Sequence, residues 1–229
     1  NQFGQLGNNT TIGRSSPVFN GIGLYSDFGA YGLALAVVAI ATDGRLTVWG
    51  NNNGGQLGDG GTVLRSSPFV VAAAGPGSWS QIQAGTVNAE GIGTNGLLYG
   101  WGQNATGQIG DNSILTRTAP VNIAPGISFT YLSNGGDTWY AKTTTGLLYG
   151  WGSNTSGQLG NNTATNVNLA QAIGLPVNAY SNPVQVNSSS WIQVSAGGSF
   201  TVAIDSNNKL WGWGLNTSGQ LGDNTAVNK

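Results

Sequence analysis

Short alternating stretches of apolar and polar residues, separated by polar turns rich in glycine and asparagine, run the length of the chain. Trp79-Ser-Gln-Ile-Gln-Ala, Phe129-Thr-Tyr-Leu-Ser-Asn and Trp191-Ile-Gln-Val-Ser-Ala each place every second side chain on one face, as strands do. A second strand follows, clearest at Leu33–Ala41 and Thr201–Ile204. A tight turn comes next, at Asp43-Gly44, Asn95-Gly96, Thr145-Gly146 and Asn207-Asn208, where residues that tolerate positive φ suit a two-residue hairpin. The returning strand is Leu46-Thr-Val-Trp49, Leu98-Tyr-Gly-Trp101, Leu148-Tyr-Gly-Trp151 and Leu210-Trp-Gly-Trp213. Pro17, Pro68, Pro120 and Pro183 open a further extended segment, a position where a strand tolerates proline. Strands alone are predicted, with no helix.

The pattern repeats. Gly-Gln-Leu/Ile-Gly occurs at 4–7, 55–58, 107–110, 157–160 and 219–222, and its last glycines step by 51, 52, 50 and 62 residues. A period in this range predicts a solenoid, propeller or array. We divide the chain into one domain of units 8–58, 59–110, 111–160 and 161–222, with partial repeats at 1–7 and 223–229. Each unit holds about four short strands. One such sheet cannot bury both faces alone, and radial stacking of sheets, the β-propeller, solves this. Trp49, Trp101, Trp151 and Trp213 are then expected to pack between blades.

The motif and its flanks resemble the regulator of chromosome condensation repeats: a strand ending Leu-Tyr-Xaa-Trp-Gly, then Asn-Xaa-Xaa-Gly-Gln-Leu-Gly-Asp. Residues 98–111 read Leu-Tyr-Gly-Trp-Gly-Gln-Asn-Ala-Thr-Gly-Gln-Ile-Gly-Asp, with equally good copies ending at Asn161 and Asp223. The resemblance implies an all-β propeller of four-stranded blades, seven to a ring, acting mostly as a binding platform. Its founding member is a nucleotide exchange factor for a small GTPase that docks on chromatin. Two departures separate this chain from that member. Ala36, Asn88, Thr138 and Phe200 stand where the family often has His, and there is no basic tail. The resemblance therefore transfers a fold and no functional residue. About four blades are expected here, completed by sequence outside this stretch. Completion by other copies of the chain, an open arc and a smaller ring are the alternatives. The chain does not begin with Met, so it is expected to be processed, truncated or a piece of something longer.

Composition narrows the chemistry. Only 7% of the residues are charged and the net charge is −1, against about 25% charged in an ordinary domain. No basic run offers itself to phosphate, so nucleic acid is not an expected partner. There is no Cys and no His, which removes thiol nucleophiles, imidazole catalysis and the usual zinc sites. Glu90 is the only glutamate and has no evident carboxylate partner, so paired acid–base hydrolysis is unsupported. No cofactor and no metal are expected. The longest apolar run, Leu33–Ala41, is too short to cross a bilayer and suits a buried strand. No secretory signal peptide is visible.

Three features remain as candidate sites. The motif glycine lies 10 residues before Pro17, Pro68 and Pro120 but 23 before Pro183, which places extra length in one loop, 161–182. Loops on rigid scaffolds carry binding residues, so Asn168, Gln171 and Tyr180 are the expected contact residues; a surface insertion without a partner is the alternative. Arg14, Arg65 and Arg117 stand seven residues after a motif glycine, and Asp59, Asp111 and Asp223 directly follow one; these are read as braces within loops or between blades, with an anion ring or a calcium site as alternatives. Asn8, Asn9, Asn104, Asn154, Asn161, Asn187 and Asn216 begin Asn-Xaa-Ser/Thr triplets, most of them in turns that want Asn for its conformation. The reading as a whole is a non-enzymatic scaffold for protein or surface partners, copies of itself included. Its uncharged surface suggests an extracellular, cell-surface or virion setting. The alternatives are an intracellular regulatory platform, such as a small-GTPase exchange factor, and a propeller-based lyase or hydrolase.

Overall fold

The computed structural model describes residues 1–19, 23–30, 35–71, 75–161, 163–174, 184–185 and 190–229. Among them there are sixteen strands and no helix. Blade one comprises β1 (Tyr25–Gly29), β2 (Ala36–Ala41), β3 (Leu46–Gly50) and β4 (Arg65–Val70). Blade two comprises β5 (Trp79–Ala84), β6 (Asn88–Gly93), β7 (Leu98–Gly102) and β8 (Arg117–Asn122). Blade three comprises β9 (Phe129–Asn134), β10 (Thr138–Thr143), β11 (Leu148–Gly152) and β12 (Val167–Gly174), extended at its edge by the short parallel strand β13 (Val184–Gln185). Blade four comprises β14 (Trp191–Ala196), β15 (Phe200–Asp205) and β16 (Leu210–Gly214). In each sheet the strands follow chain order and pair antiparallel, apart from β12 with β13. The hairpin turns hold Gly44, Gly96, Gly146 and Asn208 at positive φ.

The proline-bearing strand pairs backward. Tyr99 faces Asn122 and Gly100 faces Val121, so β8 closes the sheet of the returning strand that precedes it. A blade therefore cuts the repeat at a different phase from the units drawn on the sequence. The same register corrects the placement of the extra length. Gly152 pairs with Val167 as Gly102 pairs with Arg117, so Ala170 stands where blades one and two have Pro68 and Pro120. The added residues lie between β12 and β14, and Pro183 is outside the described residues.

Three apolar cores lie between blades rather than within them. The first joins Val38, Ile40, Leu46 and Val48 of blade one to Trp79, Ile82 and Trp101 of blade two. The second joins Ile92, Leu98 and Ile109 to Phe129, Leu132, Trp139 and Trp151. The third joins Tyr140, Leu148 and Leu159 to Trp191, Val194 and Trp213. Period two explains the division: Leu98 and Trp101 sit on opposite faces of β7 and so enter different cores. The innermost strands are also tied to one another. The Gln81 amide accepts the Leu132 N–H at 2.9 Å and donates to the Leu132 carbonyl at 3.1 Å. At the same repeat position Asp27 accepts from the Ile82 N–H at 3.1 Å, and the Tyr131 hydroxyl donates to the Val194 carbonyl at 3.0 Å.

Candidate interaction surface

The linker from returning strand to outer strand is built around one buried asparagine per repeat. Asn52, Asn104, Asn154 and Asn216 are fully buried. The Asn52 Nδ2 donates to Asp59 Oδ1 at 2.9 Å and to the Gly61 and Val63 carbonyls at 3.2 Å, and its Oδ1 accepts the Leu57 N–H at 3.0 Å. Asn154 and Asn216 repeat this pattern on Thr163 and Thr165, and on Thr225 and Val227. Asn1 does the same with Thr10 and Ile12. The motif glutamines are occupied as well: Gln56 Oε1 takes the Gly54 N–H and Gln108 Oε1 takes the Thr106 N–H, each at 2.8 Å. Burying an amide requires that its bonds be made, and here they freeze a loop without regular secondary structure. With Asn104, Asn154 and Asn216 buried and bonded, those three triplets offer no side chain to a glycan.

Where an aspartate follows the motif, as at three of the five copies, it binds a nearby cation. Arg65 meets Asp59 at 2.8 Å, Arg117 meets Asp111 at 2.6 Å and Lys229 meets Asp223 at 3.1 Å. Burial opposes ionisation of Asp59, but the hydrogen bonds from Arg65, Asn52 and the Gly61 N–H outweigh it and hold the carboxyl below its ordinary value. The same balance holds Asp111 down through Ser113 and Arg117. In blade three Asn161 and Val167 replace the pair, and Asn154 bonds Asn161 Oδ1 at 3.0 Å. The charges of Asp59, Asp111 and Asp223 are neutralised within their loops, whereas Arg14, with Asn8 in the aspartate's place, forms no ion pair among the described residues.

These loops also present aliphatic side chains outward. Ile12, Val63, Leu115 and Val227 are 63%, 69%, 61% and 64% exposed, and each stands two residues before an Arg or Lys, of which Arg65 and Arg117 open the outer strands β4 and β8. Leu64 and Ile114 extend the row. Blade three has Thr165 at that position. The asparagine bonds draw the backbone carbonyls of Ile12, Val63 and Val227 inward. The result is an aliphatic rim on rigid loops, charge-compensated beside Val63, Leu115 and Val227. Sequence reasoning missed it, although its register with Arg14, Arg65 and Arg117 is readable.

The residues singled out in the sequence fall in two groups. Trp49, Trp101, Trp151 and Trp213 are all buried. The indoles of Trp49, Trp101 and Trp213 donate to the Gln5, Gln56 and Gln158 carbonyls of the preceding motif at 3.0, 3.0 and 2.7 Å. Trp151 donates instead to Glu90 Oε1 at 3.0 Å. Asn168 and Gln171 lie in a strand rather than a free loop. Asn168 lies in β12, exposed, with its carbonyl accepting the Asn112 N–H at 2.7 Å, as the Ser66 and Thr118 carbonyls accept Asn9 and Gly60. Gln171 is also in β12, paired with Gly150. Tyr180 is outside the described residues.

Comparison with known proteins agrees with this architecture. The family model described as the regulator of chromosome condensation (RCC1) repeat matches residues 43–86 and 145–204. A second model of the same description matches 191–220. The ultraviolet-B receptor UVR8 of Arabidopsis thaliana is 31% identical over 226 residues, covering 96% of this chain and 48% of that protein. The protein RCC2 homolog of Danio rerio is 32% identical over 74 residues, covering 32% of this chain and 15% of that protein. The chain thus spans about half, or less, of the length of these relatives. Among solved structures, Prp20p from Saccharomyces cerevisiae superposes with a TM-score of 0.72 at 17% identity, over 93% of this chain and 50% of that one, a likeness of fold. The repeated motif, the blades it closes and these matches together show that the chain belongs to the regulator of chromosome condensation (RCC1) repeat family.

Proposed function

We propose that the chain is a non-catalytic propeller scaffold that binds proteins through the aliphatic rim of its linker loops. The observation that carries this reading is the recurrence of Ile12, Val63, Leu115 and Val227 at one repeat position, exposed on loops whose every buried polar group is engaged in holding the backbone. Apolar groups held in place lose little entropy on binding, and clustered exposed aliphatics mark interaction sites. The compensated ion pairs leave little net charge beside Val63, Leu115 and Val227, which suits a protein surface better than phosphate. A second copy of the chain is one such protein. The segment between Gly174 and Trp191, with Tyr180, is the alternative contact site. The uncharged polar composition supports a setting outside the cytoplasm, on a cell surface or in a virus or phage particle. The same rim would equally serve an intracellular regulatory platform, and fractionation of the native protein separates the two.

The test is cross-linking in the native extract, then affinity measurement with the partner recovered. Val63→Asp with Leu115→Asp changes two exposed side chains, so the melting temperature is expected to hold while affinity falls at least about tenfold, the loss of a few apolar anchors. Deleting residues 176–182 is expected to leave affinity unchanged. The reverse pattern would move the site to the inserted segment, and a purified protein that turns over a small substrate would end the scaffold reading.

A further inference from the structure

Glu90 is the one glutamate of the chain, and it is fully buried at the joint between blades two and three. It is the third residue of β6, on the face that meets blade three, and its register partner is Gly100. That glycine makes the room: a Cβ there would come within 2.9 Å of Ile123, 3.1 Å of Ile109 and 3.4 Å of the Glu90 side chain. Glu90 Oε1 accepts the Trp151 indole N–H at 3.0 Å, displacing the motif carbonyl that the corresponding tryptophans use. That carbonyl, of Gln108, instead accepts from Asn88 Nδ2 at 3.3 Å. Among the described residues Glu90 Oε2 has no partner, and neither do Asn88 Oδ1, two residues away on the same face, or Trp139 Nε1 from blade three.

We propose that this joint is a proton-operated latch, closed when Glu90 is a neutral carboxylic acid and loosened when Glu90 gives its proton to solvent. With Oε1 accepting from Trp151, the acid proton sits on Oε2. Losing it leaves a full negative charge in a joint whose lining is Ile92, Leu98, Ile109, Leu132, Trp139 and Trp151, a setting that ionised carboxylates do not tolerate without a partner. No cation within ion-pair distance compensates it among the described residues. The titratable groups on the elements packed around it supply none. Tyr149 on β11 and Asp137 ahead of β10 are both held protonated more firmly than usual by burial. Asp111 is engaged with Arg117 on its own linker, and Lys142 on β10 donates to the Ile192 carbonyl of blade four at 2.7 Å. Desolvation pushes the Glu90 carboxyl well above its usual value, and the Trp151 hydrogen bond only partly offsets this.

The sign follows. A carboxyl raised in the folded state stabilises the fold fully below its unfolded value, about 4.3, and the benefit is lost as pH rises toward the folded value. The test exploits the single glutamate: with 13C-labelled Glu, one carboxyl resonance reports the site. It is expected to keep the neutral-acid shift at pH 6, above the ordinary carboxylate range. Amide exchange in β6 and β11, corrected for intrinsic rate, is expected to accelerate at least about tenfold in the wild type relative to Glu90→Gln as pH rises through the observed midpoint. Gln keeps the shape and the acceptor for Trp151 but cannot ionise. A carboxylate resonance at pH 6, or wild type and Glu90→Gln exchanging alike across the titration, overturns the latch. The wild-type resonance decides the first point even if the variant folds poorly.

Discussion

Blades two and three meet through Glu90 and Trp151, whereas blades three and four meet through Tyr140 and Trp213. Glu90 and Tyr140 hold the same repeat position, each opposite a glycine, Gly100 and Gly150. At blade one the position is Val38, opposite Val48. Bulk is exchanged across the strand pair, so the backbone stays the same while the chemistry of the joint changes. Tyr140 is fully used: its hydroxyl donates to the Gln158 carbonyl, lies 3.0 Å from Thr201 Oγ1 and accepts from the Trp213 indole at 3.4 Å. Burial raises its pKa beyond the range in which a folded protein is studied, so this joint stays neutral. Glu90 makes one bond of that kind and leaves an oxygen unbonded. The difference teaches that a repeat can fix geometry without fixing proton linkage: the polar group at one joint keeps its hydrogen bonds at every accessible pH, and the carboxyl at its neighbour does not.

Removing the tryptophans gives the largest expected effect. Trp151→Ala and Trp213→Ala should each destabilise by about 3–5 kcal/mol, the usual range for a buried large aromatic. Trp213→Ala leaves the Gln158 carbonyl bonded to Tyr140 and Thr201. Trp151→Ala strips Glu90 of its only donor and should exceed Trp213→Ala by about 1–3 kcal/mol, the cost of an unsatisfied buried group. Urea unfolding of both variants at pH 7 measures this. Equal losses would mean that Glu90 is solvated in the folded protein and that the two joints do not differ as described.

A smaller effect isolates the hydroxyl. Tyr140→Phe keeps the ring and removes three polar contacts, while Trp213 and Thr201 still satisfy the Gln158 carbonyl. The loss should be about 1 kcal/mol, that of one net hydrogen bond, and independent of pH between 5 and 9. Glu90→Gln at the neighbouring joint should instead stabilise at alkaline pH and change little in acid. A pH-dependent Tyr140→Phe would erase the contrast.

Much of this was legible in the sequence. The alternation in Trp79–Ala84, the turns at Asp43-Gly44 and Asn95-Gly96 and the fivefold Gly-Gln-Leu/Ile-Gly are local signals, and they lead to strands, hairpins and blades of the family fold. The phase of the blade was not legible, because a tandem repeat reads alike wherever it is cut and only the pairing of Tyr99 with Asn122 sets the boundary. The inserted length was placed by Pro183, and Ala170 at the expected proline hid the true register of β12. Glu90 gave no sign of its partner because Trp151 is 61 residues away, across a joint that no local pattern encodes. The rim aliphatics were passed over as part of a polar turn; their fixed distance from Arg65 and Arg117 was the available clue.

The smallest difference between the two regions lies at their linkers. Blade two closes its loop with the Asp111–Arg117 pair, where blade three has the uncharged Asn161 and Val167. Both loops nevertheless keep the buried asparagine and its bonds to the loop backbone. The ion pair is therefore an addition to a loop already held. The Arg117 side chain is 35% exposed, so solvent screens the attraction. Arg117→Ala should cost under about 1 kcal/mol, and the loss should shrink toward zero in 1 M salt, where the screening length falls to about 3 Å. Asn104→Ala at the same loop is the contrasting variant, because it strands the Ile109 N–H and should unfold the linker at any salt. A thermal melt series in salt decides the matter: a large, salt-insensitive loss for Arg117→Ala would mean that the charge pair holds the linker of blade two, and that blade three holds its own by a different device.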